Sequence, residues 1–235
     1  MSLRVVEAIR GSIEPGATSV QPAAIEVRGL RHGYGGRPVL ALDEWRVGAG
    51  EHWLVLGASG SGKTTLLHLL SGLLTAQQGT VTVGGKDLAA LKPAERDRFR
   101  GRQIGFVPQR LHLVDCLTVL DNVRLARYLA GLPAATAEVL GTLAALGLEE
   151  KIGAYPATLS YGQAQRVAVA RAVVNGPQVI LADEPTSNLD DAHCERTVGL
   201  LREVGVRRSA TLVIATHDQR VKSHFERRLQ LEALP

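Results

Sequence analysis

The apolar and polar positions of the 235-residue chain change period several times, and each change marks an element. From Ile25 the chain alternates, with Ile25, Val27 and Gly29 on one face and Glu26 and Arg28 on the other. This is the period-two mark of a half-exposed strand, leading into the turn Gly33-Tyr34-Gly35-Gly36. Val39 to Val47 alternates again, and Gly48 to Gly50 turns the chain into Leu54-Val55-Leu56, apolar on both faces as a buried strand is. Leu66, Leu67, Leu69 and Leu70 follow at helical spacing up to Gly72. Gly79 to Gly85 reads as an edge strand and turn, Pro93 opens a charged helix, and Ile104 to Val107 is a short strand stopping at Pro108-Gln109. Two helical stripes come next, Val119, Leu120, Val123, Ala126 and Leu129, then Val139, Leu140, Leu143 and Leu146, with no strand before Leu159. Leu111, Leu113, Val114 and Leu117, at their entrance, either pack into that helical part or face a partner. A helix then runs from Leu159-Ser160 through Val173 to Asn175-Gly176-Pro177, and the strands Val179–Ala182 and Thr211–Ala215 are apolar on both faces.

Strands alternating with helices predict an α/β fold: a mostly parallel sheet flanked by helices, with an antiparallel β part. A helical subdomain, about residues 110–170, is inserted into it. Residues 1–24, with Gly, Pro, Ser and Thr but no sustained period, predict a flexible N-terminal extension, leaving 25–235 as the domain.

The chemistry concentrates where strands end. Gly57-Ala58-Ser59-Gly60-Ser61-Gly62-Lys63-Thr64-Thr65 joins a buried strand to a helix and fits G-x-x-x-x-G-K-[ST], so the core is expected to be that of a P-loop NTPase. Small residues there let consecutive backbone N–H groups converge on phosphate oxygens at the positive end of a helix dipole. Lys63 adds a charge for the β- and γ-phosphates, and Thr64 offers a hydroxyl to Mg²⁺. Asp183 ends a central strand, where it suits a water-mediated hold on Mg²⁺, and Glu184 beside it suits a base that takes a proton from water. His217 arrives at the same sheet edge, as an ordinary turn residue or as one that senses a γ-phosphate. Gln109 is delivered to a strand end, where its side chain can reach metal and phosphate. Ser160 and Gly162 at a helix start offer a hydroxyl and open amides, as an ordinary cap does or as a second anion site. Tyr34 can stack on an adenine or simply occupy the surface.

Composition narrows the partners. With 45% hydrophobic and 21% charged residues the chain can bury a core, and no apolar run approaches the length needed to span a bilayer, so a cytosolic protein is expected. Two cysteines, Cys116 and Cys194, lack any metal-ligand spacing and are each expected to be buried thiols. The net charge of +4 is mild, and the basic clusters at Arg96–Arg102 and Arg220–Arg228 are interleaved with acids, which disfavours nucleic acid and leaves a solvated or membrane-facing surface.

Taken together and in order, these motifs resemble the nucleotide-binding subunits of ABC (ATP-binding cassette) transporters, from residue 25 to about 232. Tyr34 matches the aromatic A-loop, Gly57 to Thr64 the Walker A loop, Gln109 the Q-loop, and Leu159 to Gln163 the signature sequence. Val179 to Glu184 matches Walker B, Ser187-Asn188-Leu189-Asp190 the D-loop, and His217 the switch histidine. Leu67-His68-Leu69-Leu70, Leu117 to Val123 and Leu181 to Asp190 are similar to the branch that drives lipoprotein release and macrolide export. The departure is Tyr161, where the family pattern most often has Gly.

The resemblance implies an Mg²⁺-dependent ATPase. Glu184, His217, Lys63 and Gln109 would serve hydrolysis, and Thr64, Gln109 and Asp183 the metal. Tyr34, the Walker A residues Gly57 to Thr65, and Ser160, Gly162, Gln163 and Asp190 would hold nucleotide. It implies further that two copies dimerise head to tail, each signature covering the partner's ATP. Integral membrane permease subunits would dock beside Gln109, placing the chain on the inner face of the cell membrane. A soluble ABC ATPase that remodels or regulates a protein assembly would carry the same motifs; a P-loop kinase would need only Walker A.

Overall fold

In the computed structural model the described residues are 23–187 and 189–234. Most of the expected extension, and Asn188, lie outside them; Ala23 and Ala24 already belong to the first strand. The strands form two sheets. An antiparallel sheet has the order β2-β1-β4-β5, from β1 (Ala23–Tyr34), β2 (Arg37–Gly48), β4 (Gln78–Val83) and the two-residue β5 (Lys86–Asp87). A parallel sheet has the order β6-β7-β8-β3-β9, from β3 (His52–Leu56), β6 (Ile104–Val107), β7 (Val179–Asp183), β8 (Thr211–Thr216) and β9 (Arg227–Gln230). The helices are α1 (Lys63–Leu70), α2 (Pro93–Gln103), α3 (Val119–Leu129), α4 (Thr136–Ala145), α5 (Tyr161–Val173) and α6 (Asp191–Arg207).

Strand period two divides the core. Leu54, Leu56, Ile180, Ala182, Leu212 and Ile214 point to one face and pack with α3, α4, α5 and α6 residues such as Val123, Leu143, Val169 and Leu201. Val55, Val179, Leu181, Val213 and Ala215 point to the other, where α1 lies between the parallel sheet and the inner face of the antiparallel one. That position explains why Leu66, Leu67, Leu69 and Leu70 are all buried, each worth about 1.5–3 kcal/mol. With both its faces covered, α1 fixes the glycine-rich loop at its head against β3.

Several expectations need correction. Gly29 does not share the buried face of β1: it adopts φ +57° at a bulge, after which Leu30 and His32 take the inward positions. Tyr34 closes β1 opposite Arg37 instead of sitting in the turn. β4 is not at the edge, because β5 pairs with it beyond β1. In the helical part Val119, Val123, Val139 and Leu143 are buried as the stripes require, but Leu129 at the end of α3 is exposed. Leu111, Leu113, Val114 and Leu117 are half-buried, with Leu113 packed on the core. Cys194 is buried, whereas Cys116 lies in an exposed loop, where no neighbouring core covers it.

Candidate active site

β3, β7 and β8 are adjacent and parallel, so their carboxyl ends deliver the Gly57 loop, Asp183-Glu184 and Thr216-His217 to one edge. Two glycines of the loop are required by close approach. A Cβ on Gly57 would lie 2.2 Å from Ser61 Oγ and 2.7 Å from the Leu231 carbonyl; Gly62, at φ +90°, would meet the Val39 carbonyl at 2.9 Å. Gly62 caps α1 without any side-chain bond, leaving the first amides of the helix to whatever occupies the loop. Ser61 Oγ is buried there with no hydrogen-bond partner.

Lys63 is only 5% exposed. Its ammonium donates to the carbonyls of Gly57 (2.8 Å) and Ala58 (2.9 Å) and stands 3.3 Å from Glu184 Oε1. Thr64 Oγ1 donates to Asp183 Oδ2 at 2.8 Å, while Asp183 Oδ1 is buried with no partner. Burial pushes the Asp183 carboxyl above its ordinary value, and the Thr64 bond only partly offsets this. A buried carboxylate oxygen without a donor, beside a hydroxyl, gains from a hard cation. No group of three or more His, Cys, Asp or Glu side chains able to hold a metal exists among the described residues. The donor set therefore fits a cation such as Mg²⁺ that keeps water and substrate oxygens as most of its ligands.

Glu184 has φ +46°, a conformation that strains a residue with a Cβ. It is held there from several sides. Its N–H donates to the Ala215 carbonyl at 2.7 Å, Thr216 Oγ1 donates to Oε2 at 2.8 Å, and His217 Nδ1 lies 3.0 Å from both carboxylate oxygens. Burial alone raises the Glu184 pKa, but the His217 and Thr216 bonds and the Lys63 charge outweigh it and leave the pKa below its ordinary value. The group is thus an ionised, buried carboxylate beside the loop. Thr216 is not among the residues expected at the site; it ends an apolar strand and gives no sequence signal beyond its position before His217.

The other expected residues are less engaged. The Tyr34 hydroxyl reaches Thr65 Oγ1 at 3.5 Å, the outer limit of a hydrogen bond, so its ring stands beside the head of α1. Gln109 follows β6, whose Val107 pairs with Ala182, and is exposed. Ser160 caps α5: its Oγ accepts from Gln163 N–H at 3.3 Å, and Gln163 Oε1 accepts from Ser160 N–H at 2.9 Å. Asp190 caps α6 by accepting from His193 N–H at 2.8 Å. The structure therefore assembles Lys63, Thr64, Asp183, Glu184 and His217 into one cluster, and leaves Ser160, Gly162, Gln163 and Asp190 at helix starts bonded locally.

Comparison with known proteins decides what this edge belongs to. The family model described as "ABC transporter" matches residues 41–187. The chain belongs to the ABC transporter family. Among its relatives, the lipoprotein-releasing system ATP-binding protein LolD of Legionella pneumophila (strain Paris) is 42% identical over 184 residues, covering 77% of this chain and 81% of that one. The macrolide export ATP-binding/permease protein MacB of Escherichia coli O157:H7 is 43% identical over 185 residues, which is 78% of this chain but 28% of that protein. The dimeric, post-hydrolysis ATP-binding cassette MJ0796 bound to ADP and Pi superposes with a TM-score of 0.78 at 31% identity, covering 90% of this chain and 97% of that one. The protein is thus an ABC-type ATP-binding subunit and ATPase, with the cassette fold of mixed parallel and antiparallel sheets. No helix among its described residues is long and apolar enough to cross a membrane.

Proposed function

We propose that this ABC ATPase works as one of two cassettes that bind ATP between them, head to tail, and drive separate membrane permease subunits of the lipoprotein-release or macrolide-export type. The observation that carries the catalytic part is the Glu184 carboxylate, ionised and braced by Thr216 and His217, 3.3 Å from Lys63 at the head of α1. In that reading the loop amides and Lys63 bind the β- and γ-phosphates, Lys63 exchanging its carbonyl acceptors for phosphate oxygens. Glu184 accepts a proton from a water whose oxygen attacks the γ-phosphorus; the bond from that phosphorus to the bridging oxygen breaks, and ADP leaves. His217 holds the γ-phosphate in line. Thr64 and Asp183, with Gln109 from the neighbouring strand end, would hold Mg²⁺, which would supply charge neutralisation at the phosphates. Tyr34 stacks on the base.

Support for the second cassette comes from α5. Gly162 has no positive φ, and a Cβ placed on it would meet no atom within 4 Å; this holds also for Gly141, Gly153 and Gly199, but of these only Gly162 follows a serine cap at a helix start, and nothing among the described residues requires glycine there. A close approach from outside would. The amides beside Ser160 and Gly162 suit the partner's γ-phosphate, and Asp190 would serve the same junction. Permease coupling would use the region around Gln109, and would hold the chain at the inner face of the membrane. Likeness to LolD and MacB supports this partner class. The test is Mg²⁺-dependent phosphate release by the pure protein: turnover in the wild type and none in Lys63→Ala is expected, and normal release by Lys63→Ala would overturn the assignment of this loop.

A further inference from the structure

The loops after β7 and β8 carry Glu184 and His217, and a single side chain that none of the recognised motifs includes ties them together. Arg220 lies in the 3-10 turn Gln219–His224, three residues beyond His217. Its guanidinium grips Asp218 with two arms, Nε to Oδ1 at 2.9 Å and Nη2 to Oδ2 at 2.8 Å. Its Nη1 donates to Asp191 Oδ1 at 2.6 Å, and Nη2 also donates to the Leu189 carbonyl at 3.1 Å. Asp218 belongs to the His217 loop, whereas Leu189 and Asp191 flank Asp190 at the start of α6. One planar fork thus spans both loops, which a lysine, with one point charge, could not do.

The contacts continue inward. Asp218 N–H donates to Thr216 Oγ1 at 3.0 Å, and Thr216 Oγ1 in turn donates to Glu184 Oε2 at 2.8 Å. The chain from Arg220 through Asp218 and Thr216 to Glu184 is therefore unbroken, and it ends on Oε2, whereas Lys63 stands against Oε1. The Arg220 fork holds the Asp218 carboxyl down to about 2, so this anchor stays charged at every pH at which the protein would work. Glu184 also needs such support, because its φ of +46° is strained.

We propose that Arg220 is a positioning residue for ATP hydrolysis, fixing the His217 loop against the Asp190 loop so that Glu184 and His217 keep their geometry. The proposal rests on the ATPase reading above, and among the described residues the Arg220 guanidinium bonds only to Asp218, Asp191 and Leu189, none of which that reading places on nucleotide or metal. Loss of Arg220 should therefore lower kcat while KM for ATP stays put. Misplacing a catalytic group by about 1 Å can cost on the order of 10²-fold, so Arg220→Ala is expected to lower kcat about 10- to 100-fold with KM within about 3-fold. In a Glu184→Gln background, where the base is already gone, the same substitution should reduce residual turnover less than about 3-fold, the non-additivity expected of two residues acting as one unit.

The experiment is steady-state ATPase of the full-length wild type, Arg220→Ala, Glu184→Gln and the double variant, each with its melting temperature. If Arg220→Ala fails to fold, Arg220→Lys, which keeps a charge beside Asp218 but cannot reach Leu189 and Asp191 as well, decides by the same split between kcat and KM. An unchanged kcat, a loss confined to KM, or an effect in the Glu184→Gln background as large as in the wild type overturns the role of Arg220. A wild type inert toward ATP would instead defeat the ATPase reading itself.

Discussion

Two regions that face nucleotide in the proposed assembly are built in opposite ways. At the edge of the parallel sheet, Lys63 and Glu184 are 5% and 8% exposed and bonded to neighbours from three different strand ends. At the start of α5, the side chains of Ser160 and Gln163 each accept from the other's backbone N–H, and Tyr161 is 49% exposed. The first is held together within one chain; the second, in the proposed assembly, would meet another copy. The difference teaches that burial and hydrogen bonding mark out a site held within one chain, whereas the half that the proposed assembly would complete with a second copy carries no such mark.

The largest expected effect breaks the first region. Lys63→Ala removes the ammonium beside the Glu184 carboxylate and the charge proposed for the phosphates, and phosphate release should fall to background in a coupled assay. Next come two identical substitutions that separate the regions. Gly57→Ala would drive its methyl into Ser61 Oγ and the Leu231 carbonyl, so a drop in melting temperature and in ATP binding is expected. Gly162→Ala meets open space in a helical position, where the change typically stabilises a fold by about 0.4–1 kcal/mol. Its melting temperature should hold or rise while ATP turnover falls; a variant that keeps full turnover would mean that no backbone approaches there.

Tyr161 sharpens the same contrast at a smaller scale. Its side chain leaves the helix start into solvent, and the amides of the turn are aimed by the Ser160 cap whatever that ring does. Tyr161→Gly should keep ATPase activity within a few fold, and a loss as large as that of Ser160→Ala would show that the ring contributes directly. The smallest effect is on stability against pH. Asp218 has an ordinary pKa of 3.8, lowered to about 2 by Arg220, so the stability this pair contributes is fully present above 3.8 and is lost as pH falls through 2. The difference in melting temperature between the wild type and Arg220→Ala should accordingly be constant from neutral pH down to about 4 and shrink below it.

Much of this is legible from residues alone, for a physical reason. Buried parallel strands such as Val179–Asp183 must be apolar on both faces, so the polar residues that end them stand out, and a glycine-rich turn before a leucine-striped helix has few other readings. What stays hidden depends on long-range contact or on backbone detail. The Gly29 bulge that shifts the phase of β1, the pairing that takes β4 off the edge, the positive φ of Glu184 and the reach of Arg220 across two loops leave no periodic trace. Cys116 departs from its expected burial because a lone thiol in a short loop carries no pattern to say whether anything covers it.

The central claim is that one chain holds a catalytic edge and an open helix start that meet only between two copies. Glu184→Gln tests it most directly, since it keeps the shape of the side chain and removes its basicity; loss of a general base typically slows turnover about 10²- to 10⁴-fold and leaves the groups that bind phosphate in place. On a sizing column with light scattering, this variant should run as a monomer alone or with ADP and as a dimer with ATP and Mg²⁺. A Glu184→Gln protein that binds ATP without hydrolysing it, yet stays monomeric at saturating ATP, would contradict the account.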